Sequence, residues 1–78
     1  MNGISDKVDI SFFGKKLREF REAKGLSMQD LANMAEIEKS QIARIEIGKR
    51  NPRLSTILVI ALALEIDPQE FFQSKPKS

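Results

Sequence analysis

The 78-residue chain contains neither cysteine nor histidine. The absence of cysteine excludes a disulfide framework and thiolate chemistry. The absence of histidine removes the usual general base and the commonest metal ligand. No nucleophile–base pair and no cluster of metal-ligating residues stands out among the residue types that remain. We therefore expect no catalytic site, no metal and no cofactor, and an enzyme is disfavoured.

The chain also lacks a long apolar run. The longest extends from Ile57 to Leu64, which is far too short to span a bilayer. The N-terminal sequence MNGISDKVDI has no apolar signal core, so we expect a cytoplasmic protein with no membrane partner. The length predicts one small domain. It leaves no room for a ligand-sensing module, and no small-molecule ligand is expected.

The charges are nearly balanced overall but unevenly distributed. The formal net charge is only +2. Residues 39–53 carry a single acid, Glu46, and five bases, which are Lys39, Arg44, Lys49, Arg50 and Arg53. Residues 65–70 carry three acids and no base. This distribution predicts a locally positive face, which suits an anionic partner.

Apolar residues recur at helical spacing, and no strand-like alternation is present. The pattern divides the chain into an arm (1–10), a helical domain (11–73) and a disordered tail (74–78). Ser11 is predicted as the N-cap of a first helix, and Gly25 as the residue that ends it. The inner face of this helix is expected to consist of Phe13, Leu17 and Phe20.

Two short helices are expected next. Ser27 and Asp30 have the spacing of a capping box at the start of the second helix. Its predicted inner face consists of Leu31, Met34 and Ala35. The third helix is expected over residues 39–47, with Glu38 as a poor N-cap and Gly48 at its end. Ile37, in the turn, and then Ile42 and Ile45 are predicted to point into the core.

The start of the fourth helix has two solutions. Asn51 can cap it with Pro52 at the first helical position, or Ser55 can cap it with a Leu54–Val59 staple. Because residues 57–64 are apolar on every side, this helix is predicted to be central and buried. Asp67 and Pro68 predict the start of a last short helix, which carries Phe71 and Phe72.

The segment from Ser27 to Pro52 therefore contains two short helices joined by a tight turn, with a basic loop after them. The second of the two carries a run of polar residues, which are Lys39, Ser40, Gln41 and Arg44. Such side chains can donate hydrogen bonds to base edges and phosphates, and a helix-turn-helix presents them to the major groove of DNA. The plain alternative is a solvated helix face.

Many elements of the chain, at their spacing, resemble the phage repressor and Cro family of helix-turn-helix DNA-binding proteins, the XRE family. They are Phe13-Gly14, Leu17, Arg21, Lys24-Gly25-Leu26-Ser27, Leu31-Ala32, Ile37, Ile42, Ile45-Glu46, Gly48-Lys49, Asn51-Pro52 and Ile60-Ala61. The resemblance implies an all-α, compact five-helix, lambda-repressor-like domain. Its helix-turn-helix comprises helices 2 and 3.

The resemblance also assigns roles to individual residues. It implies that Lys39, Ser40, Gln41 and Arg44 face the bases. Phosphate contacts are implied for Lys49, Arg50 and Asn51 in the loop, and for Ser27 and Gln29 at the second helix. The plain alternative for the loop is a solubilising surface. Arg21 and Glu46 take positions that form a structural ion pair in the family.

Three positions depart from the family pattern. Met28 stands where a phosphate-contacting glutamine is usual, and Gln29 follows it. Glu36 stands where the turn often has glycine, so a positive φ there would be strained. Glu38 replaces the usual serine or threonine cap, and it favours the helix dipole while opposing DNA phosphate.

The function implied by the resemblance is that of a small transcription regulator, more specifically a repressor. We expect a homodimer on double-stranded DNA with an inverted-repeat operator. Part of the 57–64 surface or of Phe71 and Phe72 would then lie at the dimer interface, whereas the plain alternative assigns all of it to the core. The alternative function is an antitoxin or other protein-interaction module whose main partner is a protein.

Overall fold

The computed structural model describes residues 11–73, which form four α-helices and a 3₁₀ helix without any strand in that range. The α-helices are α1 (Ser11–Ala23), α2 (Met28–Ala35), α3 (Lys39–Glu46) and α4 (Leu54–Leu64), and the 3₁₀ helix is Pro68–Phe72. The predicted all-α class is confirmed, although the fifth helix is 3₁₀ rather than α. The predicted arm and tail lie outside the described residues.

One hydrophobic core joins all five elements. α3 packs against α1 and α2, α2 packs against α4, and the 3₁₀ helix packs against α1 and α4. The 3₁₀ helix inserts Phe71, whose ring centroid lies 4.6 Å from that of Phe13 and 5.4 Å from that of Phe20. The core residues are Phe13, Leu17, Leu31, Ala32, Ile42, Ile45, Ile60, Ala61, Leu64 and Phe71.

The C-terminal ends of α2 and α4 share one hydrogen-bonding pattern. After α2, Glu36 adopts a left-handed conformation (φ 59°), and the next residue, Ile37, donates its N–H to the carbonyl of Ala32 at 3.0 Å. After α4, Glu65 (φ 60°) and Ile66 repeat the arrangement. A non-glycine residue in this conformation is strained by about 1–2 kcal/mol. In both cases the isoleucine that follows packs against the core, and this burial offsets the strain.

The start of α2 is closed by the predicted capping box. The Ser27 hydroxyl accepts from the Asp30 N–H at 2.9 Å, and the Asp30 carboxylate accepts from the Ser27 N–H at 2.9 Å. These hydrogen bonds, chiefly the one from the Ser27 backbone, hold the pKa of the Asp30 carboxyl below its ordinary value. The capping box therefore fixes the start of α2, where the loop after α1 joins the helix.

Some helix boundaries differ from the predictions. Ser11 lies within α1 and is therefore not a cap outside it. Neither predicted start of α4 is right, since the helix begins at Leu54 with Arg53 as its N-cap. The Arg53 carbonyl accepts the first helical bond, from the Ile57 N–H at 3.0 Å.

Two predictions of burial were wrong. Met34 is 52% exposed, because the inner face of α2 is centred between Leu31, Ala32 and Ala35. α4 is not buried all round either. It turns Ile60, Ala61 and Leu64 inward, whereas its outer side exposes Leu54, Leu58, Val59 and Leu62. Of the two phenylalanines left open between core and interface, Phe71 is buried and Phe72 is 53% exposed.

α1 and α3 approach each other closely at Gly14. A Cβ atom added there would lie 2.2 Å from the carbonyl oxygen of Ile45 and 2.7 Å from that of Glu46. Both atoms belong to the α3 backbone, so they cannot move aside as a flexible side chain would. Gly14 therefore sets the distance between the two helices.

We predict that Gly14→Ala destabilises the domain by at least about 1–3 kcal/mol, the usual cost of overpacking. The matched control is Gly25→Ala, where φ is +71° but nothing lies within 4 Å of the added Cβ. That control should cost about 1 kcal/mol, from backbone strain alone. Urea unfolding of both variants measures the difference, and an equal or smaller loss for Gly14→Ala would contradict the close approach.

Candidate nucleic-acid interface

α2 and α3 form a helix-turn-helix unit whose connection consists of only three residues, Glu36 to Glu38. Because α3 packs against α1 on one flank and α2 on another, its remaining side stays open to solvent. Its core-facing residues are Ile42, Ile45 and Glu46. The open side is the one available to a large external partner.

The polar residues predicted to read bases lie on this open side. Lys39, Ser40 and Arg44 are exposed, and Gln41 is half-buried at the edge. Ser40 and Arg44 are four residues apart and therefore stack one helical turn from each other. The face combines a hydroxyl, an amide and two cationic groups, all of which can donate hydrogen bonds.

Arg21 and Glu46 hold α3 from behind. The Arg21 Nε lies 2.6 Å from Glu46 Oε2, and Arg21 Nη2 lies 3.0 Å from Glu46 Oε1, which makes the pair bidentate. Both residues are only 8% exposed. The third nitrogen, Nη1, donates to the Leu26 carbonyl at 2.8 Å. The hydrogen bonds that Arg21 donates to the Glu46 carboxylate raise the pKa of the Arg21 guanidinium above its ordinary value.

This arrangement ties three segments together. Arg21 belongs to α1, Glu46 ends α3, and Leu26 lies just before α2. Every buried nitrogen and oxygen of a side chain within residues 11–73 has a hydrogen-bond partner. The pair therefore fixes the orientation of the helix-turn-helix on α1 without leaving an unpaired buried charge.

The basic loop after α3 places three predicted residues beside the open face. Lys49, Arg50 and Asn51 are all exposed. Between this loop, α3 and α4 lies a polar cleft of about 240 Å³, lined by Gln41, Ile45, Arg50, Pro52, Arg53 and Thr56. Arg53 belongs to the basic segment that was predicted to face an anionic partner, whereas Thr56 is a candidate contact absent from the predicted set. Thr56 carried no sequence signal, because only the fold of the whole domain places it in the same cleft as Gln41.

At the start of α2, Ser27 and Gln29 are exposed but already have internal partners. Ser27 serves the capping box, and Gln29 Nε2 donates to Asn33 Oδ1 at 2.9 Å. Each retains donor capacity for an outside acceptor. Met28, one of the departures from the family pattern, packs against the core. It therefore anchors α2 and does not provide a polar contact.

The two acidic departures lie at the other end of the turn. Glu36 takes the left-handed position despite its Cβ. Glu38 is the N-cap of α3, but its side chain makes no capping hydrogen bond. Both carboxylates are exposed, so they place negative charge near the N-terminal end of α3.

Two other kinds of feature are absent from the same range. Residues 11–73 contain no group of three or more acidic, histidine or cysteine side chains able to hold a metal ion. None of the helices described is long and apolar enough to cross a membrane.

The fold and this surface define a helix-turn-helix domain: two short helices, a three-residue turn and a solvent-facing second helix. A family model described as helix-turn-helix, HTH_3, matches residues 17–71. The chain belongs to this family.

Relatives in sequence and in structure agree with the assignment. An uncharacterised HTH-type transcriptional regulator of Rickettsia conorii is 36% identical over 92% of this chain and 57% of its own length. The HTH-type transcriptional repressor RghR of Bacillus subtilis is 42% identical over 69% of this chain and 41% of its own length. The chain thus spans about half the length of these curated relatives.

A solved structure provides the geometric comparison. The restriction-modification controller protein C.AhdI from Aeromonas hydrophila superposes with a TM-score of 0.80 and 45% identity. The match covers 82% of this chain and 97% of that one. The helical arrangement described above is therefore shared over almost the whole of that controller protein.

We predict that Glu46→Gln lowers the free energy of unfolding by about 3–5 kcal/mol, because it leaves the Arg21 charge buried without its counterion. The matched control is Glu22→Gln, which removes the exposed 3.0 Å pair with Arg18 and a longer, 4.0 Å pair with Arg21. It should cost about 0–1 kcal/mol, because the Glu22 carboxylate is exposed and Arg21 keeps Glu46. Urea unfolding of both variants measures the contrast. A loss below 1 kcal/mol for Glu46→Gln would contradict the role given to the pair.

Proposed function

We propose that residues 11–73 are a sequence-specific binding domain for double-stranded DNA, with α3 in the major groove. The observation that supports this most strongly is the combination of a buried bidentate pair behind α3 and donor side chains in front of it. In this proposal Lys39, Ser40, Gln41 and Arg44 read base edges. Arg44 suits guanine and Gln41 suits adenine, because each can bind the base through two hydrogen bonds.

Phosphate contacts are assigned to the flanking segments. Lys49, Arg50 and Asn51 approach the backbone from the loop, and Ser27 and Gln29 approach it from the start of α2. Such contacts give affinity and fix the register of the protein, but they do not read sequence. The two halves of the surface thus have separate tasks.

The biological role we propose is transcription regulation, specifically repression. Curated relatives carry the names of transcriptional regulators, and RghR is named a repressor. A regulator of this kind acts on DNA, so we place the protein in the cytoplasm, with DNA binding rather than catalysis as its activity. Repression and the cytoplasmic location are proposals about the whole protein. The curated relatives are about twice as long as the part that this chain matches.

We further propose that the domain binds DNA as a homodimer. α4 exposes an apolar stripe of Leu54, Leu58 and Leu62, spaced by four residues along its outer side, and Leu62 is 78% exposed. A second copy would cover this stripe. Two α3 helices about 34 Å apart would then match an inverted-repeat operator.

The same stripe favours a second candidate function, an antitoxin or other module whose main partner is a different protein. In that case the apolar side of α4 would bind the partner and α3 would not be needed. The two proposals differ in salt dependence, because DNA affinity falls with salt by a log–log slope of about −0.9 for each phosphate contact. An association that is insensitive to salt would favour the protein partner.

For the reading of DNA sequence, we predict that Arg44→Ala lowers affinity for the duplex selected by the wild type by about 1–3 kcal/mol. It should also relax the base preference at one position of that duplex. Lys49→Ala should weaken all sequences alike and make the salt slope shallower by about 1. Fluorescence anisotropy on the site and on random duplex measures both. Equal weakening of site and random DNA by both variants would contradict the division into base-reading and phosphate-contacting residues.

For the dimer, we predict that Leu62→Glu produces monomers without loss of folding, because this side chain is mostly exposed within a single copy. Met34→Glu is the matched control, since Met34 is also an exposed apolar residue, on α2. Sedimentation velocity with and without DNA measures the oligomeric state. A wild-type protein that stays monomeric on its DNA, or a Leu62→Glu variant that stays dimeric, would contradict the proposed interface.

A further inference from the structure

Glu38 presents an exposed carboxylate for which the described part of the chain provides no partner. Its backbone carbonyl accepts hydrogen bonds from the N–H groups of Gln41 and Ile42 at 3.0 and 3.4 Å, which starts α3. Its side chain makes no capping hydrogen bond. No hydrogen bond or ion pair of the carboxylate occurs within residues 11–73, and the residue is exposed.

The position of this carboxylate limits what it can bind. Glu38 directly precedes Lys39 and Ser40, and the N-terminal residues of a recognition helix are those that reach base edges. An ionised carboxylate only accepts hydrogen bonds. Phosphate oxygens and base acceptors repel it, so its favourable partners in the major groove are the exocyclic amino groups of cytosine and adenine.

Cytosine fits this acceptor better than adenine does. In the major groove, cytosine presents its N4 amino group as a donor, whereas adenine presents its N6 amino group beside the acceptor N7. An amide side chain satisfies both adenine atoms, but a carboxylate satisfies only one and is repelled by the other. The chemistry therefore favours a C·G base pair.

We propose that Glu38 is a specificity-determining residue that reads cytosine by accepting a hydrogen bond from its N4 amino group. This inference rests on the proposed DNA-binding function and deepens it. It also gives Glu38 a role in rejecting other sequences. The carboxylate is repelled by the backbone of every duplex, and this cost is compensated only where a cytosine lies opposite it.

The test is selection of bound sites from random duplex DNA with the full 78-residue chain and its variants. Glu38→Ala should lose the preference for cytosine at one position of each half-site, a change of about 10- to 150-fold for cytosine over thymine if one hydrogen bond to a charged group is lost. Its affinity for random duplex should not fall. Glu38→Gln should accept adenine at the same position, because its amide can bind adenine through two hydrogen bonds.

Glu36→Ala is the matched control. Glu36 is also exposed and acidic, but it precedes the cap and lies in the turn. The Glu36→Ala variant removes a comparable charge and should keep the preference for cytosine. Thermal unfolding of each variant, followed by circular dichroism, checks that the fold is intact.

The outcomes separate the inference from the proposed function. If the wild type selects a site and Glu38→Ala selects the same one, Glu38 does not read a base and the inference is wrong, while the proposed function stands. If Glu38→Ala and Glu36→Ala both gained the same affinity for all sequences, Glu38 would act only by repelling DNA, and the inference would again be wrong. If the wild type selects no site, the proposed function and the inference both fail.

Discussion

The orientation of α3 depends on the buried bidentate pair between Arg21 and Glu46. Removing two charges from water is costly, and well-packed apolar residues of the same volume can be equally stable or more so. The pair instead fixes the relative orientation of the two helices, because the planar guanidinium donates its hydrogen bonds in a rigid fork that must align with the carboxylate. With its third nitrogen on the Leu26 carbonyl, it fixes α3 against α1 and against the entry to α2.

Close packing of the backbones supports this electrostatic constraint. Gly14 brings α1 against the carbonyl groups at the end of α3, next to the position of Glu46. On the other flank, Ile37 packs into the core and holds Glu36 in its left-handed conformation. α3 is therefore held at both ends, and its open face is supported from behind although the domain is small. A rigid face costs less ordering when it binds.

The sequence predicted best those features that local interactions determine. The capping box at Ser27, the inward Ile42 and Ile45 and the end of α3 at Gly48 each depend on residues within a few positions, and each is present. The exposure of Met34 and Leu62 depends on which elements cover a helix face, and local periodicity does not contain that information. The left-handed Glu65 was missed because no glycine marks it; tertiary burial of Ile66 stabilises it.

The candidate site shows the same division. The polar run of α3 was visible as a pattern, but the pairing of Arg21 with Glu46 across 25 positions came only from the family resemblance. The cleft that brings Thr56 beside Gln41 had no local signal. Long-range juxtapositions of this kind arise from the packing of whole helices, and single-sequence patterns describe one helix at a time.

The central claim is that α3 and its adjoining loop are the surface that contacts DNA. The most direct measurement is a titration of ¹⁵N-labelled protein with duplex DNA, followed by amide chemical-shift changes along the chain. The account predicts the largest changes at residues 39–44 and 49–51, with smaller ones at Ser27 and Gln29. Changes confined to the outer side of α4 or to the acidic segment 65–70 would contradict it.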